Sequence, residues 1–271
     1  MLMDKRRKVS TLVALAGIYA LFCLTILKVD CSWSAERAAE IDKATILKKS
    51  MVAYNQPELS GEIEEAGVST TTTGIIIFKR IKFWIKNNKS KMEVFQSPNA
   101  PHSIQSTTIV DGTTMWDYRA GSNTVMKLNI AKLPEDLRGN VMQGGFFGTK
   151  KLAECMDELL KLASAEEKVK DGKKYYYVTI KDLNSLQEPL RSKIISKDQN
   201  KKIVLWIDAD NYQLTRIETY GDSEQPSRWT DFKNMDTKPI DDSLFVYTTP
   251  ADAQVSDMTE GAIKMFEGKK R

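Results

Sequence analysis

The residues able to do chemistry are few. The chain of 271 residues holds one histidine, His102, three cysteines, Cys23, Cys31 and Cys155, and two close acid pairs, Asp208 with Asp210 and Asp241 with Asp242. A serine or cysteine nucleophile needs a base poised near neutrality, and the only imidazole sits between Pro101 and a hairpin, where an exposed loop residue is expected. Both acid pairs fall at turn positions, where aspartate is favoured for local hydrogen bonds, so paired-carboxylate hydrolysis is not indicated. Cys155 is the only thiol outside the N-terminal segment, and no Cys-x-x-Cys or Cys/His cluster exists to hold a metal. The glycines Gly144, Gly145 and Gly148 lack the Lys-Ser/Thr ending of a phosphate loop. This inventory points away from an enzyme and calls for no cofactor or metal. What remains is apolar surface, and with it a binding function.

The elements that would carry that surface read as an antiparallel sheet. Residues 106–118 alternate on both sides of Asp111-Gly112, a pairing that predicts a two-residue type I′ hairpin. With Val110 opposite Thr113, Ile109, Trp116 and Tyr118 share one face. Upstream, residues 36–55 carry apolar positions at three- and four-residue steps, predicting an amphipathic helix stopped by Pro57. Residues 74–86 predict a long half-buried strand with Ile75, Ile77, Ile81, Phe83 and Ile85 on one face. Asn87-Asn88 then forms a turn into a short strand over 91–95, which Pro98 and Pro101 close.

Downstream, residues 124–130 place Met126, Leu128 and Ile130 on one face. The stretch 132–148 has loop chemistry and reads as a flap bearing Phe146 and Phe147. A second amphipathic helix is expected over 149–165, followed by a charged stretch through Asp171-Gly172. Five short strands follow at 174–180, 201–207, 212–220, 227–235 and 244–248, with a polar insertion at 181–200. The tail from 259 is polar and weakly helical.

Residues 4–34 have the layout of a secretory signal: four cations at 5–8, an apolar run over 11–27, then Ser32 and Ser34 at small-residue positions for cleavage after Ser34. The run of 17 residues is at the lower edge for a membrane span, so an uncleaved anchor is the alternative. Three segments result: a signal peptide or anchor (1–34), a single domain (35–258) and a polar tail (259–271). Beyond residue 34 the cations number 35 against 34 acids, without the basic stripe that nucleic-acid binding requires.

Three stretches resemble the LolA family of periplasmic lipoprotein carriers. Phe83-Trp84-Ile85-Lys86 is similar to the family's Leu-Trp-Val-Lys strand. Residues 109–118 resemble its Asp-Gly-Lys-Thr-Leu-Trp-x-Tyr hairpin, and residues 241–250, after Trp229-Thr-Asp-Phe232, resemble the closing Phe-x-Phe/Tyr-Thr-x-Pro strand. The likeness spans residues 36–258. It implies a mainly β (α+β) fold: an open, curved antiparallel half-barrel sheet whose concave apolar face is covered by helices and accepts acyl chains. It further implies a monomeric periplasmic carrier that takes lipoprotein acyl chains or other lipid from an inner-membrane release complex to an outer-membrane acceptor. The alternative is a membrane-tethered envelope sensor of the same fold. Cavity-lining candidates are Trp84, Ile109, Trp116, Tyr118, Met126, Leu128, Phe146, Phe147 and Phe245. The arginine that gates carriers corresponds here to Asn87.

Overall fold

The computed structural model describes residues 42–269, apart from 55, 69–73, 98–99, 136–137, 139–155 and 186–200. Helix α1 (Lys43–Tyr54) opens on Asp42, whose carboxylate accepts from the Ala44 and Thr45 amides at 3.1 and 3.3 Å. It satisfies amide donors that lack an intrahelical partner. Ile46, Leu47, Ser50 and Tyr54 are its buried positions, spaced to one side as the sequence predicts.

Twelve strands follow: β1 (Glu58–Val68), β2 (Ile75–Lys86), β3 (Lys89–Ser97), β4 (Ala100–Val110), β5 (Thr114–Arg119), β6 (Thr124–Asn129), β7 (Ala163–Lys170), β8 (Lys173–Lys181), β9 (Lys202–Asp208), β10 (Leu214–Tyr220), β11 (Arg228–Asp236) and β12 (Gln254–Asp257). A short α2 (Met156–Leu162) precedes β7, and α3 (Thr259–Lys269) follows β12. They form one sheet in the order β12-β6-β5-β4-β3-β2-β1-β11-β10-β9-β8-β7, whose edges do not pair with each other. Every pairing is antiparallel except that of β12 with β6. This is the mainly β, open and unclosed arrangement expected.

Directly paired residues point to the same side, so register sorts the sheet into two faces. One face carries Leu59, Ile63, Ile81, Phe83, Val94 and Phe232, which form a buried cluster with Tyr54 of α1. The other is laced with ion pairs and crossed by the segment from β11 to β12. That crossing is held at Ile240, whose carbonyl accepts from Lys86 Nζ at 2.8 Å and whose amide donates to Glu58 at 2.5 Å.

Several sequence expectations are corrected. Strand β1 lies in the middle of the sheet and was not anticipated. The Asp111 loop has four residues, 111–114, between the paired Val110 and Met115, rather than two. Its carboxylate accepts from the amides of Thr113 and Thr114, both at 2.8 Å, and only Gly112 has positive φ. Val110 therefore faces Met115 and Ile109 faces Trp116, a shift of two residues that leaves the faces unchanged. Ile75 and Ile77 leave the face of Ile81, because a bulge opposite Glu65 and Ala66 makes Ile76, not Ile77, the partner of Gly67.

Pro101 and His102 belong to β4 rather than to a loop. Helix α2 ends at Leu162, and β7 begins where the helix was expected to continue. Residues 244–248 make no strand: a 3-10 turn (Asp242–Phe245), opened by Asp241 accepting from the Ser243 amide, runs into them, and the edge is closed by β12 instead.

Candidate functional site

The apolar face extends past the α1 cluster to the ends of β1, β2, β10 and β11 nearest the β1–β2 connection. There an open cavity of about 310 Å³ is bordered by Glu65, Phe78, Ile217, Thr219, Arg228 and Thr230. Ile217 packs against the core cluster, so the cavity floor continues the buried apolar surface. Phe78 is placed by the bulge: the extra residue in β2 turns its ring onto the side of Gly67, whose missing Cβ would lie 2.8 Å from it. The Arg228 guanidinium carbon sits 5.7 Å from the centre of that ring. The rim is tied by backbone bonds from Val68 to the Ser227 carbonyl at 3.0 Å and from Ser227 to Thr219 at 2.9 Å. An apolar floor with a cation and a carboxylate at its edge is suited to an apolar chain bearing a polar end.

The other face is electrostatic. Glu64 lies between Arg80 at 2.9 Å and Lys233 at 2.8 Å; burial pushes its carboxyl up, but hydrogen bonds from these two cations and their charge hold it below the usual range. Burial raises Asp231, against the opposing charge of Arg216 at 3.3 Å. Asp208 is almost wholly buried, accepts from the Asp210 amide at 2.9 Å and pairs with Lys173 at 2.5 Å. Its burial is outweighed by these bonds, and the carboxyl is held low. Asp242 binds Lys86 and Lys89 at 3.2 and 2.9 Å. Each aspartate of the two acid pairs that engages a cation is thus neutralised locally. Among the described residues no group of His, Cys, Asp and Glu could hold a metal ion.

The sequence-derived candidates do not gather at one place. Trp84, Ile109, Trp116 and Tyr118 share the electrostatic face through the pairs Trp84–Lys91, Lys91–Ile109, Ile109–Trp116 and Thr107–Tyr118. Tyr247, from the crossing segment, stacks on Trp116 with ring centres 4.9 Å apart. Met126 and Leu128 lie on the α1 face, opposite Asp117 and Met115. Phe245 is buried in the 3-10 turn. Asn87 sits in the β2–β3 turn with φ of 53° and donates its amide to the Pro57 carbonyl at 2.7 Å. Phe146 and Phe147 lie outside the described residues. None of the described candidates borders the cavity. Sequence reasoning missed Phe78, Ile217 and Arg228; the available sign was the unbroken apolar run at 75–78, which a regular half-buried strand would not contain.

Sheet order, open edges and a helix on the apolar face define an open, mainly β (α+β) fold. The chain is similar to the solved structure of a LolA superfamily protein from Nitrosomonas europaea, at 12% identity and a TM-score of 0.31, covering 75% of this chain and 96% of that one. It is also similar to LprF from Mycobacterium bovis, at 15% identity and 0.39, covering 78% and 96%. An uncharacterized conserved protein from Thermus thermophilus matches at 9% identity and 0.45, covering 79% and 97%. No family model matches the chain, and no curated protein does.

Proposed function

We propose that the chain binds an acyl chain of a lipid or lipoprotein, non-covalently, on the apolar face of its sheet, and delivers it across the periplasm towards the outer membrane. The observation that carries this is the open cavity of about 310 Å³ continuous, through Ile217, with the apolar core beneath α1. Each methylene moved out of water contributes about 0.8 kcal/mol, so even ten carbons supply on the order of 8 kcal/mol. A cavity at the small end of the ligand-site range of about 300–1,000 Å³ suits one chain, and more would require α1 to lift from the face. A tethered envelope sensor that binds without transporting is the second reading, favoured by the apolar run at 11–27.

Titration with a fluorescent fatty acid tests the proposal. Phe78→Asp, on an exposed side chain, is expected to weaken uptake about tenfold, a difference of about 1.4 kcal/mol. Trp116→Glu and Thr230→Glu, on opposite faces, tell which side receives the lipid: only Thr230→Glu, on the cavity wall, is expected to interfere. Uptake unchanged by Phe78→Asp and Thr230→Glu, or lost only with Trp116→Glu, would defeat the assignment. Acylated species on the chain purified from envelopes would support it.

A further inference from the structure

The cavity opens beside a second feature. At the ends of β1 and β2, Ile75 is 69% exposed, Phe78 51%, Val68 48% and Ile76 39%. Bulky apolar side chains this exposed, clustered at one hairpin, mark an interaction surface. They point both ways: Ile76 and Phe78 to the cavity side with Gly67, and Val68 and Ile75, which pair with each other, to the opposite side. A flat protein partner would cover one side and leave the other in water, whereas immersion satisfies both. β1 is paired on both sides as far as Gly67, and β2 pairs with β1 from Ile75 and with β3 from Arg80.

Charge agrees with a lipid surface. Beside the apolar tip stand the exposed Arg228, 5.7 Å from the centre of the Phe78 ring, and the half-buried Lys79, opposite Glu65 across the ladder; both are cations suited to lipid phosphates. Of the acids in the adjoining β10–β11 turn, Asp222 is paired with Lys201 and Glu224 is exposed. Helix α1 also starts at this end. Lys43 Nζ donates to the Ala163 carbonyl at 2.6 Å, and Ala163 lies on the row of cross-strand pairs that runs through Ile203 and Arg228 to Ile76.

We infer that this end of the sheet is a membrane-docking surface, in which Val68, Ile75, Ile76 and Phe78 enter the interfacial layer of a phospholipid bilayer and set the mouth of the cavity against it. The inference stands on the exposure of these side chains on both sides of the sheet, and survives if the cavity takes no acyl chain.

The test uses the full chain with Cys23, Cys31 and Cys155 replaced by serine and one new cysteine carrying an environment-sensitive nitrobenzoxadiazole label, Ile75→Cys or, as control, Val169→Cys on edge strand β7. The chains are reconstituted with vesicles of phosphatidylcholine and phosphatidylglycerol, with and without nitroxide-labelled lipid. The label at 75 is expected to shift to the blue and lose fluorescence to the nitroxide, while the label at 169 stays aqueous. Two outcomes overturn the inference: labels at 75 and 169 that respond alike, or a blue shift at 75 that grows with protein concentration without vesicles, which assigns the surface to a second copy of the chain. Fatty-acid uptake measured on the same samples reports separately on the cavity.

Discussion

Gly67 has no room for a side chain. A Cβ there would lie 2.7 Å from the Ser227 carbonyl oxygen and 2.8 Å from the Phe78 ring, and the first of these is backbone that cannot swing aside. Gly67→Ala is expected to cost about 1–3 kcal/mol of stability in urea unfolding and to weaken fatty-acid uptake by displacing Phe78. Gly74→Ala, where a Cβ meets nothing within 4 Å, should shift stability by no more than about 0.5 kcal/mol. Equal effects of the two would separate Phe78 from the close approach at Gly67. Turn residues were only partly legible at this scale. Asp111-Gly112 and Asp171-Gly172 are the same dipeptide, yet only the second makes the two-residue turn with both φ angles positive, at 53° and 76°. The difference is the threonine pair after Gly112: with Thr113 and Thr114 amides and the Thr113 hydroxyl to accept from, the Asp111 carboxylate supports a longer loop, whereas Asp171 is followed by lysines.

Among elements, α1 decides whether the apolar face is open. Tyr54 closes its end: the ring packs edge-on to Phe232 with centres 6.0 Å apart, the hydroxyl donates to the Leu214 carbonyl, and burial pushes the phenol well up. Tyr54→Phe keeps the ring and loses that bond, at an expected cost of about 1 kcal/mol. Tyr54→Ala vacates the space at about 3–5 kcal/mol. If α1 competes with ligand for the face, Tyr54→Ala should tighten fatty-acid binding even as it lowers the unfolding midpoint, and Tyr54→Phe should leave affinity nearly unchanged. Parallel loss of stability and affinity would instead make α1 a fixed wall. The helix could be read from its spacing, but β1, the strand under it, could not. Its Glu58, Glu62 and Glu64 break any apolar run, because they are directly opposite Lys86, Lys82 and Arg80 of β2 and pair with them at 3.7, 3.5 and 2.9 Å. A strand whose acids are answered only across the ladder has no local hydrophobic period to detect. For the same reason the candidate site was misplaced: a bulge set by two paired strands, rather than the local alternation, chooses the face of Phe78.

For the molecule as a whole, cations and acids are nearly balanced beyond residue 34, 35 against 34, and buried or half-buried ion pairs on one face of the sheet make its stability depend on acid. Asp208 and Glu64 are held below their unfolded values, so each contributes stability that is complete above about pH 4–5 and is lost as pH falls through the lower folded value. Asp231 works the other way: raised by burial, it binds a proton more readily in the folded protein and offsets part of that loss on acidification. The folded chain should therefore lose stability progressively below about pH 4, with Asp208 the more buried contributor of the lowered pair. Asp208→Asn is expected to remove about 1–2 kcal/mol at pH 7, since its partner Lys173 is half exposed and remains solvated when unpaired, and to flatten the dependence of stability on pH between about 5 and 3. Glu224→Gln, on an exposed turn side chain, serves as control and should leave the profile in place. Urea unfolding at about pH 7, 5 and 3 reads both. A profile for Asp208→Asn parallel to that of the parent chain would move the acid dependence elsewhere in the network, and Glu64→Gln would then be the variant that flattens it.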